Sequence, residues 1–129
     1  MASNDSNLRF TENHEWLRVE DDGTVTVGIT DYAQAELGDI VFAELPESGS
    51  EHAAGDNLVT VESVKAVGEI AIPIDATITG VNEALSDSPD LINTAPLGDG
   101  WLVRVKPNAA LPDNLMDASG YAEFVAKLQ

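Results

Sequence analysis

Residues 58–74, LVTVESVKAVGEIAIPI, constrain the fold more than any other stretch of the chain. Valine, isoleucine and threonine crowd the run, and β-branched side chains suit a pleated, partly buried strand. Near its middle stands Lys65, with Val64 and Val67 close on either side. A strongly hydrated ammonium is costly inside a paired strand. If two strands instead meet at Lys65, the turn between them lifts the amine off the body of the domain and leaves it reachable. Only Lys106 and Lys127 share its residue type, and neither has such a setting.

At 129 residues the chain fits one domain with a hydrophobic core of its own. Residues 1–7 are small and polar and are expected to be a disordered lead-in to a single unit over 8–129. The absence of cysteine excludes a disulfide framework, a thiolate zinc site and catalysis by a protein thiol. Thiol chemistry would have to come from an added group. The opening MASNDSNLRF carries neither a basic stretch nor an apolar core, and no apolar run approaches membrane-spanning length, so a soluble, cytoplasmic protein is expected.

The net charge of −17 opposes binding to nucleic acid or to an anionic membrane surface. The acids run from Asp5 to Glu123 without a polyacidic block. This dispersal, with lysine scarce, favours a surface adapted to a salt-rich cytoplasm over an acidic face aimed at one basic partner.

Alternation of apolar and polar residues predicts a hairpin from 14–20 and 24–29, turning at Asp21, Asp22 and Gly23. Thr30 and Asp31 suit a helix N-cap, and Gly38 suits its end, so 32–37 reads as a short helix. Strands follow at 39–45, on both sides of Lys65, at 77–82 and at 101–106. Residues 51–57 and most of 83–97 read as loop, with a helical first turn at Ser88, Pro89 and Asp90. Beyond Leu111 the apolar spacing predicts one or two amphipathic helices interrupted at Gly120. Trp16 and Trp101 are expected in the core. A weak strand–turn–strand symmetry about Lys65 is equally what any β-sandwich displays.

No self-sufficient catalytic constellation emerges. His14 and His52 lack metal-ligand spacing, and Gly98 and Gly100 open a strand without a third glycine, which fits neither a dinucleotide fingerprint nor a phosphate loop. Carboxylates are so dense that pairs arise by chance.

Several collinear segments do carry a resemblance. TENHEWLR at 11–18, VGITDYAQAELGDIVFAELPE at 27–47, VESVKA at 61–66, VNEAL at 81–85, residues 91–93, and GWLVRVKP at 100–107 together resemble the H proteins of the glycine cleavage system. The resemblance implies a mainly β barrel-sandwich hybrid, or hammerhead, of the lipoyl and biotinyl carrier type. A short helix follows the first hairpin and one or two helices lie at the C-terminus. It implies lipoate joined through an amide to Lys65 at a hairpin tip, with Glu62 and Ser63 read by the lipoylating enzyme. It further implies a non-catalytic shuttle that carries the aminomethyl group of glycine from glycine decarboxylase to the aminomethyltransferase. Dihydrolipoyl dehydrogenase then reoxidises the dithiol. Glu15 and Glu69, with Asn13 beside them, match positions lining the cleft that shelters the loaded arm. A carboxylate in a partly desolvated cleft would hold a protonated amine. Strong negative charge and a shuttling role favour a monomer.

The chain departs from the family pattern at three places. Gly68 and Glu69 stand where serine then aspartate is common, Asn13 replaces a small hydroxyl residue, and Asp75 and Ala76 replace a serine–glycine turn. None touches attachment. Biotin carriers flank their lysine with methionine, whereas Val64 and Ala66 stand here. A lipoyl domain of a 2-oxoacid dehydrogenase would lack the HEW and GITDYAQ segments. An unmodified acidic interaction module is the remaining alternative, and intact mass separates all of these.

Overall fold

A computed structural model describes residues 8–109, 111 and 115–128. The expected lead-in at 1–7 lies outside the described residues. The elements, in order, are β1 (Leu8–Phe10), β2 (Glu15–Val19), β3 (Val25–Ile29), α1 (Asp31–Leu37), β4 (Ile40–Glu44), β5 (Glu51–His52), β6 (Asn57–Ser63), β7 (Val67–Ala71) and β8 (Ala76–Val81). Then come α2 (Ala84–Asp87), α3 (Leu91–Thr94), β9 (Val103–Pro107) and α4 (Ala118–Leu128). Two antiparallel sheets result: six strands ordered β1-β2-β3-β9-β8-β5, and three ordered β4-β6-β7. This is the mainly β, two-sheet architecture of a barrel-sandwich hybrid, and neither sheet closes into a barrel.

The core lies between the sheets. Leu17, Val25, Val27, Val103 and Val105 point inward from the large sheet and meet Val59, Val61 and Ile70 of the small one. Each such aliphatic side chain, once fully buried, contributes about 1.5–3 kcal/mol. The register of β6 on β7 shifts between Asn57 and Val59, and Leu58 and Val59 are both buried there despite being neighbours.

Four sequence expectations are corrected. Residues 83–97, expected as mostly loop with a helical first turn at Ser88, Pro89 and Asp90, hold two short helices: α3 follows directly on that turn, α2 was not expected, and Leu85 in α2 and Ile92 in α3 reach the core and are fully buried. Residues 51–52, also expected as loop, form a two-residue strand on β8. The C-terminal region forms one helix among the described residues, and it runs through Gly120. The Asp117 carboxylate accepts from the Gly120 N–H at 2.8 Å, which places this glycine in the capped first turn. Trp16 is fully buried in the core as expected, whereas Trp101 is not. With Leu8, Phe10 and Tyr121 it fills a second cluster, where α4 covers the outer face of β1 and β2, while Trp101 is only half-buried at its rim.

Candidate functional site

Lys65 lies at the tip of the β6–β7 hairpin, in the three-residue connection 64–66, and is exposed. Local chemistry shapes the tip. The Ser63 N–H donates to the Ala66 carbonyl at 2.8 Å, while the Ser63 hydroxyl oxygen accepts from the N–H groups of Lys65 and Ala66 at 3.3 and 3.0 Å. Ser63 therefore organises the turn that presents the lysine, whatever else reads it. Glu62 is exposed on the last pair of the ladder, opposite Val67. Val64 and Val67 are 70% and 65% exposed, so an apolar collar surrounds the amine at a place where burial would normally claim such side chains.

The tip is anchored below. The Val64 N–H donates to the Asp39 carbonyl at 3.0 Å, and the stem of Lys65 passes over Gly38, where an added Cβ would stand 3.2 Å from Cε. Gly38 ends α1 at φ 86°, ψ −164°, a backbone region open essentially to glycine alone. Asn93 of α3 fixes this corner. Its side-chain N–H groups donate to the Gly38 carbonyl and Gln34 Oε1, both at 2.9 Å, and its Oδ1 accepts from the Ile40 N–H at 2.8 Å. The sequence marks Asn93 only as the end of the 91–93 segment that shares in the family resemblance, with no sign of this role.

A cleft of about 390 Å³ opens farther along the hairpin. Thr11, Glu12, Asn13 and Glu15 form one wall, and Ala71, Ile72 and Pro73 form the other. Glu15 is only 3% exposed. Burial pushes its carboxyl above the ordinary glutamate range, opposed by the Thr11 hydroxyl, which donates to Oε1 at 3.1 Å, and by the Ala71 amide directed at it. Exposed Asn13 and Glu12 stand at the mouth. Glu12 adds a second carboxylate, which its sequence position among 23 acids could not single out.

The structure brings Glu15 and Asn13 together and leaves Glu69 outside this wall. Glu69 is exposed opposite Thr60, on the face of β7 away from the core. It lies two residues from Ala71, roughly 7 Å along the strand, and four from Lys65, roughly 13 Å. The unpaired edge of β7 thus runs from the lysine past Glu69 to the Glu15 cleft. Among the described residues no group of His, Cys, Asp or Glu is arranged to hold a metal ion.

His14, given no role by the sequence, has φ 69°, and its Nδ1 lies 2.8 Å from the Tyr121 hydroxyl. Burial lowers its pKa, against the raising influence of the Glu36 carboxylate.

A two-sheet domain with an exposed lysine at a rigid hairpin tip, and a separate acidic cleft along the same strand, defines a swinging-arm carrier domain. A family model described as Glycine cleavage H-protein matches residues 8–128. Similar chains include a Glycine cleavage system H protein of Halorhodospira halophila, 49% identical over 98% of both chains. A Probable glycine cleavage system H protein of Pyrococcus abyssi is 53% identical, over 94% of this chain and 91% of that one. The crystal structure of a glycine cleavage system H protein from Mycobacterium marinum superposes with a TM-score of 0.82 at 38% identity, covering 95% of this chain and 96% of that one. The chain belongs to the glycine cleavage H-protein family, whose members are lipoyl carriers of the glycine cleavage system.

Proposed function

We propose that Lys65 bears lipoate in amide linkage and that the chain, itself without catalytic groups, shuttles the aminomethyl group of glycine from glycine decarboxylase to the aminomethyltransferase, with dihydrolipoyl dehydrogenase restoring the carrier. The observation that carries this reading is the lysine itself: exposed at the tip, braced by Ser63 and Asp39, and in no ion pair among the described residues. The bound group supplies a reducible disulfide to a chain that has no cysteine. Forming the amide removes one positive charge, so the formal net charge passes from −17 to −18.

The residues of the chain divide the work. Ser63 fixes the tip, and with Glu62 it forms the surface met by the lipoylating enzyme. Gly38 lets the lysine stem lie flat on the α1–β4 corner. Glu15, Asn13 and Glu69 receive the cationic end of the loaded arm: Glu69 along the β7 edge, Glu15 and Asn13 in the cleft. A carboxyl held above its ordinary range by burial is poised to ionise when a cation enters beside it, and the walls exclude water.

The same reading makes residues 8–129 one carrier unit with a lead-in at 1–7, monomeric and cytoplasmic. Among the described residues no helix is long and apolar enough to cross a membrane. The dispersed acidity is read as salt adaptation. Arg18 pairs with Glu20 at 3.0 Å, while most carboxylates among the described residues are exposed to water and salt.

Intact-mass measurement of the native protein tests the attachment, because lipoyl, biotinyl and unmodified chains differ in mass. Lys65→Arg keeps the charge and cannot form the amide. It is expected to stay folded and to abolish glycine-dependent carbon dioxide exchange with the partner enzymes, and retained exchange would overturn the carrier reading.

A further inference from the structure

His14 is the one non-glycine residue with positive φ among the described residues. A side chain with a Cβ is strained there, so the conformation persists only where its surroundings hold it. Backbone bonds hold it from both sides: the His14 N–H donates to the Thr11 carbonyl at 3.0 Å, and the His14 carbonyl accepts from the Thr30 N–H at 2.9 Å. The kink separates two neighbours. Glu15 turns into the cleft, while the His14 ring turns toward α1 and α4, against Tyr32 at 4.6 Å and Phe124 at 5.9 Å between ring centroids.

On that side a chain of polar groups ends at the ring. Thr30, the N-cap of α1, accepts from the Ala33 N–H at 3.3 Å, and its hydroxyl lies 2.6 Å from that of Tyr121, which lies 2.8 Å from His14 Nδ1. Thr30 is 2% exposed, and Tyr121 is the partner at hand for its hydroxyl hydrogen. In the arrangement where Thr30 donates to Tyr121 and Tyr121 donates to Nδ1, the neutral ring carries its proton on Nε2.

We propose that His14 is a positioning residue for Glu15. The Thr30–Tyr121–His14 chain clamps the strained backbone from the α4 side, and that backbone keeps the Glu15 carboxyl in the buried wall of the cleft. Helix α4, remote from Lys65 in sequence, thereby sets the electrostatics of the pocket that receives the arm. This consequence rests on the cleft assignment above, but the geometry and its test stand on the unmodified protein.

Tyr121→Phe removes one hydroxyl and leaves the ring stacked on Phe10, whose centroid is 4.7 Å away. His14→Ala removes the ring. Carbon-detected NMR titration of Glu15 is expected to show its midpoint moving down toward that of an exposed glutamate in both variants, further in His14→Ala. In the parent, nitrogen shifts of His14 are expected to show an unprotonated Nδ1 at neutral pH. Leu128→Ala, which trims a half-exposed α4 side chain outside the chain of hydroxyls, should change thermal stability without moving Glu15. An unmoved Glu15 midpoint in folded Tyr121→Phe, or a neutral ring protonated on Nδ1, would overturn the assignment. Tyr121→Phe decides the matter even if His14→Ala does not fold. Failure of the carrier reading would instead appear as unmodified Lys65, with these titrations unaffected.

Discussion

Gly38→Ala probes the corner on which Lys65 rests. At φ 86° and ψ −164° a residue with a Cβ costs about 1–3 kcal/mol relative to glycine. The new methyl would meet Lys65 Cε at 3.2 Å and Cδ at 3.6 Å, but these atoms end a flexible chain and can swing aside cheaply. If the backbone relaxes instead, the bond from Asn93 to the Gly38 carbonyl weakens, forfeiting about 1 kcal/mol. The two routes together bracket a loss of about 1–3 kcal/mol. With a urea dependence of roughly 1–3 kcal/mol per molar for a domain of this size, the unfolding midpoint should fall by about 1 M. Gly80→Ala is the control. An added Cβ there meets nothing within 4 Å and φ is unremarkable, so its effect should stay within about 0.5 kcal/mol. Lipoylation followed by intact mass should survive in Gly38→Ala, because Ser63 organises the tip from within. Midpoints for Gly38→Ala and Gly80→Ala that coincide would refute the argument that this corner requires glycine.

Three further outcomes follow from particular residues. Glu15 has a folded pKa raised by burial, so as pH climbs from the ordinary glutamate value through the raised one the unfolded state releases its proton first and stability is lost. Glu15→Gln keeps the contact with Thr11 and removes this loss, so its stability relative to the parent should rise across that window; parallel pH profiles would contradict the burial of an ionisable group. Gly28→Ala would place a Cβ 2.6 Å from the buried Trp16 indole, whose Nε1 donates to the Pro96 carbonyl at 2.9 Å. Overpacking of this kind costs about 1–3 kcal/mol, readable as a lower urea midpoint with quenched or shifted tryptophan fluorescence. Finally, unfolding midpoints should rise from low to molar salt as screening relieves the repulsion of a −17 chain, and salt-independent stability would remove salt adaptation as the reason for the acidity.

Much of this architecture was legible in the sequence because its signals are local. Alternation in 24–29 and 101–106 marks strands, Thr30 and Gly38 mark the ends of α1, and the Lys65 run marks a hairpin. Of the short helices, α3 was signalled only by the first turn at Ser88, Pro89 and Asp90, and α2 was hidden, since four-residue helices have no period to read and exist because Leu85 and Ile92 are drawn into the core. The C-terminal helix was expected to break at Gly120, but a glycine in a capped first turn costs little.

The sequence alone determined that a β-rich chain without cysteine presents one lysine at a turn, and its collinear segments determined the family to which that lysine points. Tertiary structure decided what surrounds it. Glu15 became the buried carboxyl of a cleft, and Glu69 an exposed residue on the strand edge, because the edge of β7 comes to lie beside the Thr11–Glu15 turn. Asn93 became the staple of the Lys65 corner, and His14 became the kink behind Glu15, through contacts with residues 53 and 107 positions away. Hydrogen bonds over such separations leave no periodicity in a sequence; only the packing of the two sheets and α4 brings their partners together.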